Sequence, residues 1–530
     1  MHQELCSDMN LKVYIETYGC QMNVGDSQVA ASILTKEGYA ICNNMEQADV
    51  ILVNTCSVRD NAEKRVLGRL DVFGQQKKRR RVIVGVMGCM AQRLREKLLD
   101  NKNVDFCIGP DSYRSLPRLI EHIMQGGQPL TETTLSRTET YAEIEPLRRD
   151  SNGVSAFISI MRGCNNMCSY CIVPYTRGRE RSRDPKSIVR EAEEVVKQGF
   201  KEVTLLGQNV DSYMWRNPDN PTESVNFAQL LELVALVDKK LRVRFQTSHP
   251  KDIRRGVLYT MAMYPNICPH IHLPVQSGSN SMLSKMNRKY TREHYLEKIA
   301  AIREILPTCA ITTDIIAGFC GESEEEHQQT LSLMKEVGFD SAFMFQYSQR
   351  PNTLAARQYP DDVPTEVKTE RLNQIIALQN QLSLASNKKD VGKEFEVLVE
   401  GFSKRSQLAE KEGGKKQQET EAGQQESKAG QQGAMKQMQG RTPQNKVCVF
   451  DAPPSVKPGD FVFVKILSCS SATLLGEIVE PKKRLAEKLG ERIGGKLNEI
   501  FKQQGGSKKG SGGGSGDGGD GGGKEKKLSR

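Results

Sequence analysis

Six short apolar runs recur between residues 156 and 348, and they limit the fold more than any other feature of the chain. They read AFISIMRG, EVTLLGQ, RVRFQTS, HIHLPVQS, AITTDIIAGF and AFMFQYS. Each is strand-length and bounded by turn residues, and helical patterns separate them. In RDPKSIVREAEEVVKQGF, Asp184 predicts the N-cap, Pro185 the first helical position and Gly199 the stop. Six β/α units in a row predict a parallel, right-handed partial barrel, (β/α)6, over residues 150–387.

The segments before and after it read differently. KVYIETYGC, DVILVNTC and RVIVGVMGC are β-rich runs of the kind a buried parallel sheet uses. Between the first two lies GDSQVAASILTKEGY, where Asp26 or Ser27 can cap a helix and Val29, Ile33 and Leu34 share a face. A small α/β domain is expected over 11–127, and the polar, aperiodic stretch 126–150 reads as a linker. Past residue 388, EFEVLVEGFSKRS, NKVCVFD and KPGDFVFVKILSCSSATLLGEIV predict a small β-barrel ending near 480. Residues 409–440 are rich in Gln, Gly, Lys and Glu and predict a disordered insertion in that barrel. The tail 481–530 contains GSGGGSGDGGDGGG and is low in complexity. The fold class is thus α/β with a carboxy-terminal β-barrel.

Composition narrows the setting. Net charge is +10, yet the tail alone holds 13 Lys and Arg against 6 Asp and Glu. The basic balance therefore belongs mostly to the tail and is weak evidence for nucleic acid by itself. MHQELCSDMN lacks the basic start and apolar core of a signal peptide, and no apolar run approaches the ~20 residues that span a bilayer. A reducing, cytoplasmic setting without membrane attachment is expected, where the 14 cysteines point to metal or catalysis rather than disulfides.

The cysteines fall into patterns. Cys164, Cys168 and Cys171 form C-x-x-x-C-x-x-C directly after the first barrel strand, where active-site residues of such barrels gather. Tetrahedral sites want four ligands and cubane iron–sulfur clusters usually take four thiolates, and no fourth Cys or His is near, so the site stands open. Cys20, Cys56 and Cys89 each end a strand of the first domain. The carboxyl ends of parallel strands share one edge, so these thiols either converge as a second three-thiolate site or are separate core cysteines. Arg177, Arg179, Arg181 and Arg183 alternate, facing phosphates or a carboxylate, or guarding a strand edge. His270 and His272 share a strand face, as metal ligands or as pocket hydrogen-bonders. Cys320 and the remaining cysteines read as core or free thiols. No Walker or G-x-G-x-x-G loop is present.

The first cysteine motif, placed after the first strand of a partial barrel, resembles the radical S-adenosylmethionine (SAM) enzymes. YGCQMNVGDS, NTCSVRDNAEKR and GCMAQR resemble the amino-terminal motifs of the methylthiotransferase family within that superfamily. MRGCNNMCSYCIVPYTRGRERSR, LLGQNVDSY, HLPVQSGS and TDIIAGFCGE resemble its radical core, and VEGFSKRS, GRTPQNKV and SATLLGE its TRAM-like RNA-binding barrel. The resemblance implies two 4Fe–4S clusters. One sits on Cys164, Cys168 and Cys171 with SAM as the exchangeable fourth ligand, and an auxiliary one sits on Cys20, Cys56 and Cys89. It implies two SAM per turnover, one split to a 5′-deoxyadenosyl radical and one donating methyl to cluster-held sulfur. The resemblance is nearest to the branch that places a methylthio group on carbon 2 of dimethylallyl-modified adenosine beside the tRNA anticodon. Other branches modify threonylcarbamoyl-adenosine or a ribosomal protein; a non-enzymatic iron–sulfur carrier or RNA-binding regulator is the reading from another class. Gln208, Gln276 and Ser277, at strand ends, are the expected SAM neighbours. The partners implied are tRNA, a one-electron donor and a sulfur donor, with the chain acting as a monomer.

Overall fold

The computed structural model describes residues 11–57, 60–148, 152–407 and 436–480. The first domain is a six-stranded, all-parallel sheet in the order β2-β1-β3-β4-β5-β6. Its strands are β1 (Lys12–Thr17), β2 (Ala40–Ile41), β3 (Val50–Thr55), β4 (Ile83–Gly88), β5 (Phe106–Ile108) and β6 (Leu130–Glu132). β3 and β4 are buried along their whole length, which explains the apolar runs Val50–Val53 and Ile83–Met87. Helices α1 (Gln21–Lys36), α2 (Asp60–Arg79), α3 (Cys89–Leu94) and α4 (Leu116–Met124) follow the strands, and two apolar cores lie on the two faces.

Two expectations for this domain need correction. The stretch 126–150 is not simply a linker: β6 extends the first sheet within it, and Tyr141, 2% exposed, stacks on Tyr113. Neither Asp26 nor Ser27 caps α1. Cys20 is the N-cap, without a side-chain cap bond, and both polar residues lie buried inside the helix because tertiary partners satisfy them.

The central region matches the expected partial barrel. β7 (Ser155–Ser159) is followed by the short pair β8 (Met161–Arg162) and β9 (Arg181–Ser182), with α5 (Val173–Arg177) between them. Next come α6 (Pro185–Lys197), β10 (Glu202–Leu206), the hairpin β11 (Met214–Arg216) and β12 (Ser224–Asn226), then β13 (Arg242–Gln246), β14 (His270–His272), β15 (Ala310–Ala317) and β16 (Ser341–Gln346). β7, β10 and β13 form one parallel sheet and β14, β15 and β16 another. The Cys268 amide bonded to the Val243 carbonyl, and the Ser248 amide to that of His272, join them into one arc of six. Asp184 caps α6 by accepting from the Ser187 amide, Pro185 begins it, and Gly199 follows it with φ +91°, as the sequence predicts.

The outward residues of these strands, among them Ile158, Leu205, Phe245, Ile271 and Ile315, pack against the helices in the largest core. The inward residues are mostly polar. Arg244 pairs with Glu202 at 2.7 Å and donates to the carbonyls of Thr442 and Pro443. Those carbonyls belong to a turn of the last domain, a closed barrel ordered β17-β18-β19-β21-β20. Its strands are β17 (Glu394–Phe402), β18 (Lys436–Arg441), β19 (Val447–Ala452), β20 (Phe461–Cys469) and β21 (Leu474–Val479). Residues 436–440, expected within the disordered insertion, are strand, paired with β19 and, from Met438, also with β17. The rest of the insertion, to residue 435, and the tail 481–530 lie outside the described residues, as does Cys6.

Candidate active site

The six predicted ligands stand at the carboxyl ends of strands in two neighbouring domains. Cys56 follows β3, Cys89 follows β4 and begins α3, and Cys20 stands three residues past β1. Glycines shape this edge. Gly19 has φ +120°, and a Cβ there would lie 2.5 Å from the Cys56 Cβ, so only glycine lets the two loops close. A hydrogen bond with Cys56 lowers the Cys20 thiol to about 6, against burial and with help from Arg177. Burial raises Cys89, and Arg177 opposes it. The Cys20 charge adds to that rise, so the three thiols influence one another.

Cys164, Cys168 and Cys171 lie in the loop between β8 and α5. Gly163, at φ +78°, brings the loop so close to the Arg179 carbonyl that a side chain would collide with it. Cys164 donates its amide to Gly178, Asn166 bonds Asp252, and Ser169 bonds the Lys285 carbonyl. Burial pushes Cys164 up to about 12 and raises Cys171, which also feels Cys168. Buried thiols this basic become thiolates only when a cation takes the proton's place. Arg288, 4% exposed, donates to the Cys168 sulfur at 3.3 Å and to the Pro274 carbonyl at 2.7 Å. Among the described residues no three His, Cys, Asp or Glu side chains close round a point as a single metal ion requires. A cubane spaces its thiolates more widely than one ion does, and two sets of three mutually interacting thiols fit such clusters in donor chemistry.

The arginine run is neither a phosphate-facing row nor an exposed strand edge. Arg177, Arg181 and Arg183 are 3%, 7% and 5% exposed; only Arg179 is open to solvent. Arg177 ends α5 and reaches Asp26 at 2.7 Å, Asn23 at 3.1 Å and the Cys89 sulfur at 3.2 Å. Arg162 shares Asp26 at 2.9 Å, and Arg181 takes Asp111. The loop that carries one cysteine triad is thereby pinned to the other. Burial opposes ionisation of Asp26, but Arg162 and Arg177 hold its carboxyl below its usual range.

Three family models match the chain in order. They are the Uncharacterized protein family UPF0004 over residues 12–109, the Radical SAM superfamily over 158–334 and the TRAM domain over 431–479. A tRNA-2-methylthio-N(6)-dimethylallyladenosine synthase of Phocaeicola vulgatus is 52% identical over 472 residues, spanning 89% of this chain and 96% of the relative. The synthase of Amoebophilus asiaticus is 53% identical over 479 residues, spanning 88% and 92%. The chain belongs to the tRNA-2-methylthio-N(6)-dimethylallyladenosine synthase family. Among solved structures, the radical S-adenosylmethionine methyltransferase TsrM of Kitasatospora setae, with cobalamin and a [4Fe-4S] cluster bound, superposes with TM-score 0.51 at 13% identity. That likeness covers 66% of this chain and 74% of TsrM, and it shows the fold alone.

In this member of the synthase family, a polar cluster of which sequence reasoning singled out only Gln208 lies beside the second triad. Gln208 Oε1, Asn209 Oδ1, Asp211 Oδ1, Ser248 Oγ and His249 Nε2 are buried without a partner within the protein. They follow β10 and β13, and Asn209 shares Asp252 with Asn166 of the cysteine loop. Burial raises Asp211 to about 7 and, with Arg288 and Lys251, lowers His249 to about 2. The Lys251 amide donates to His249 Nδ1, so the neutral ring carries its proton on Nε2, the atom left free. Of the expected SAM neighbours, Gln208 joins this cluster. Gln276 lies four residues past β14, bridged to Ile315, with φ +72°, and the Ser277 hydroxyl is engaged by Thr330 and the Ser279 amide. The motif LLGQNVDSY held the signal, but polarity at a strand end does not reveal which oxygens stay unpaired. His270 and His272 both bond the Thr312 hydroxyl, and His272 also reaches Asp314 at 3.3 Å. This is the pocket hydrogen-bonding reading. Cys107, Cys268, Cys309, Cys320 and Cys448 are buried, and Cys42 and Cys469 are half-buried.

The concave face of the synthase barrel is exposed at one side. On β16, Phe343 is 56% and Phe345 38% exposed, opposite in facing to Ala342 and Met344, which pack on the helices. Phe343 meets His272 edge-on at 5.8 Å. Among the described residues no helix is long and apolar enough to cross a membrane.

Proposed function

We infer that the chain transfers a methylthio group to carbon 2 of N6-dimethylallyladenosine in tRNA, by radical SAM chemistry on two iron–sulfur clusters. The observation that carries this reading is the pair of three-cysteine sets at neighbouring sheet edges, with Arg177 reaching from the loop of one to a thiol of the other. Three-thiolate sites leave a coordination position open, which a pure electron carrier has no use for. Cys164, Cys168 and Cys171 would hold the cluster that binds and reduces SAM, and Cys20, Cys56 and Cys89 the one that presents sulfur. When bound, these groups supply the radical and sulfur chemistry that no side chain offers at an aromatic C–H bond.

The protein's share is placement. Asp211 Oδ1, Asn209 Oδ1 and Gln208 Oε1 offer acceptors, and His249 Nε2–H a donor, to the amino, carboxylate and ribose groups of SAM. The exposed faces of Phe343 and Phe345 would stack the adenine and cover its branched dimethylallyl group. Single-stranded loop bases are read on aromatic side chains in this way. The turn at Thr442 and Pro443 docks on the inward Arg244 of β13, and the TRAM-like barrel to which it belongs would grip the RNA. We take the enzyme to work in the cytoplasm as a monomer, with a reductant protein and a sulfur donor.

The test is incubation of the iron-loaded protein with reductant, sulfide, SAM and either of two tRNAs, one carrying dimethylallyladenosine and one plain adenosine at that position. Nucleoside mass analysis should show the methylthio product from the first alone. Equal modification of both would overturn the substrate assignment.

A further inference from the structure

Arg177 sits in an unusual charge environment. Arg162 and Arg177 share Asp26, and Arg162 and Arg181 share Asp111, so three guanidiniums face two carboxylates in a region almost without solvent. Burial raises Asp111 while its arginines pull it back, and protonation there would only enlarge the excess. These two carboxylates therefore leave one buried cation over, and Glu139, which also feels Arg162, is taken up by Arg114. An uncompensated buried cation is expensive, and it persists where an anion completes the set. The Nη1 atom of Arg177 has no hydrogen-bond partner within the protein, while its Nε donates to the Cys89 sulfur. An oxidised cubane on three thiolates carries one net negative charge, which matches the excess in sign and size.

We propose that Arg177 is a positioning residue for the auxiliary cluster. It supplies the countercharge and a hydrogen bond to a ligand sulfur, and so raises that cluster's reduction potential. This rests on the two-cluster reading above. Net charge and hydrogen bonds to sulfur are two of the main determinants of such potentials. Because α5 begins just past Cys171, Arg177 also fixes the distance between the two cysteine sets, a role that neither set performs itself. Asp26 is the counterweight: it holds Arg177 in place and offsets part of its charge.

The experiment is a redox titration followed by electron paramagnetic resonance. It uses the full chain with Cys164, Cys168 and Cys171 all replaced by Ala, so that one cluster remains. Iron and sulfide assays come first: a protein without iron would overturn both the two-cluster reading and this proposal. With iron present, Arg177→Gln should shift the midpoint to more negative potential, and Arg177→Lys should restore part of the shift. Asp26→Asn should shift it in the opposite direction. A merely structural arginine would give two shifts of the same sign or none, with the same iron content, and either result would overturn the proposal while leaving the two-cluster reading standing. If Arg177→Gln fails to fold, Arg177→Lys and Asp26→Asn carry the test between them: opposite signs support the proposal, and equal signs or no shift overturn it.

Discussion

Asp211 shows how a single buried carboxyl leaves a measurable trace. Burial lifts it to about 7, although the His249 amide, which donates to its Oδ2, favours its charge. An unfolded aspartate ionises near 3.9, so the folded form binds a proton that the unfolded form has lost over the interval between. Stability contributed by this group is therefore full below about pH 4 and falls as pH rises toward 7. Asp211→Asn removes the charge and keeps the size. Its thermal stability relative to the parent should improve steadily between pH 5 and pH 7.5, by an amount on the order of a few kcal/mol. A difference flat with pH would mean that Asp211 is ionised throughout. Single residues were also where sequence reading failed most. The four alternating arginines look like an edge strand because their partners, Asp26 and Asp111, lie 151 and 70 positions away for Arg177 and Arg181. The same distance hid the true role of Asp26, which reads as a cap only when its arginines are invisible.

At the level of elements, periodicity carried nearly all the information. Six apolar runs became six parallel strands, and the Asp184–Pro185 signal opened α6 as expected, because both depend only on neighbours in sequence. β6 and the first residues of β18 escaped because they are short, polar and stabilised by the strands they pair with. β16 gives the prediction at this scale. Phe343 and Phe345 face away from the helices and hold up nothing in the core. Phe343→Ala should therefore leave folding and deoxyadenosine formation close to wild type. Affinity for the dimethylallyl tRNA should fall by ~1–3 kcal/mol, the usual worth of one stacked base. Filter binding against tRNA with plain adenosine checks this, since the variant should lose most of the distinction between the two. The docking turn gives another. Replacing Arg244 by Met strands the buried Glu202 carboxylate and the Thr442 and Pro443 carbonyls, a loss of about 3–5 kcal/mol. The melting temperature should drop, and protease should cut more readily between residues 388 and 394.

The whole molecule divides by what each part needs from the others. Residues 481–530 are rich in Gly and Lys and contain the low-complexity run GSGGGSGDGGDGGG, so a chain ending at Glu480 should fold, hold its iron and cleave SAM. Because that segment carries 13 basic against 6 acidic residues, its loss should weaken tRNA binding modestly and mainly at low salt. Precipitation or loss of iron in that truncation would make the tail structural. On the proposed reading the two cysteine sets need each other in a stricter sense, since radical formation and sulfur presentation would be separate duties. One assay addresses that division: wild type, Cys164→Ala and Cys56→Ala are reconstituted with iron and sulfide and given reductant, SAM and dimethylallyl tRNA. Deoxyadenosine and the tRNA nucleosides are then measured together. Cys164→Ala should make neither product. Cys56→Ala should still make deoxyadenosine and yield no methylthio nucleoside. Full thiomethylation by Cys56→Ala would reduce the first domain's cysteines to core residues and contradict the two-cluster account.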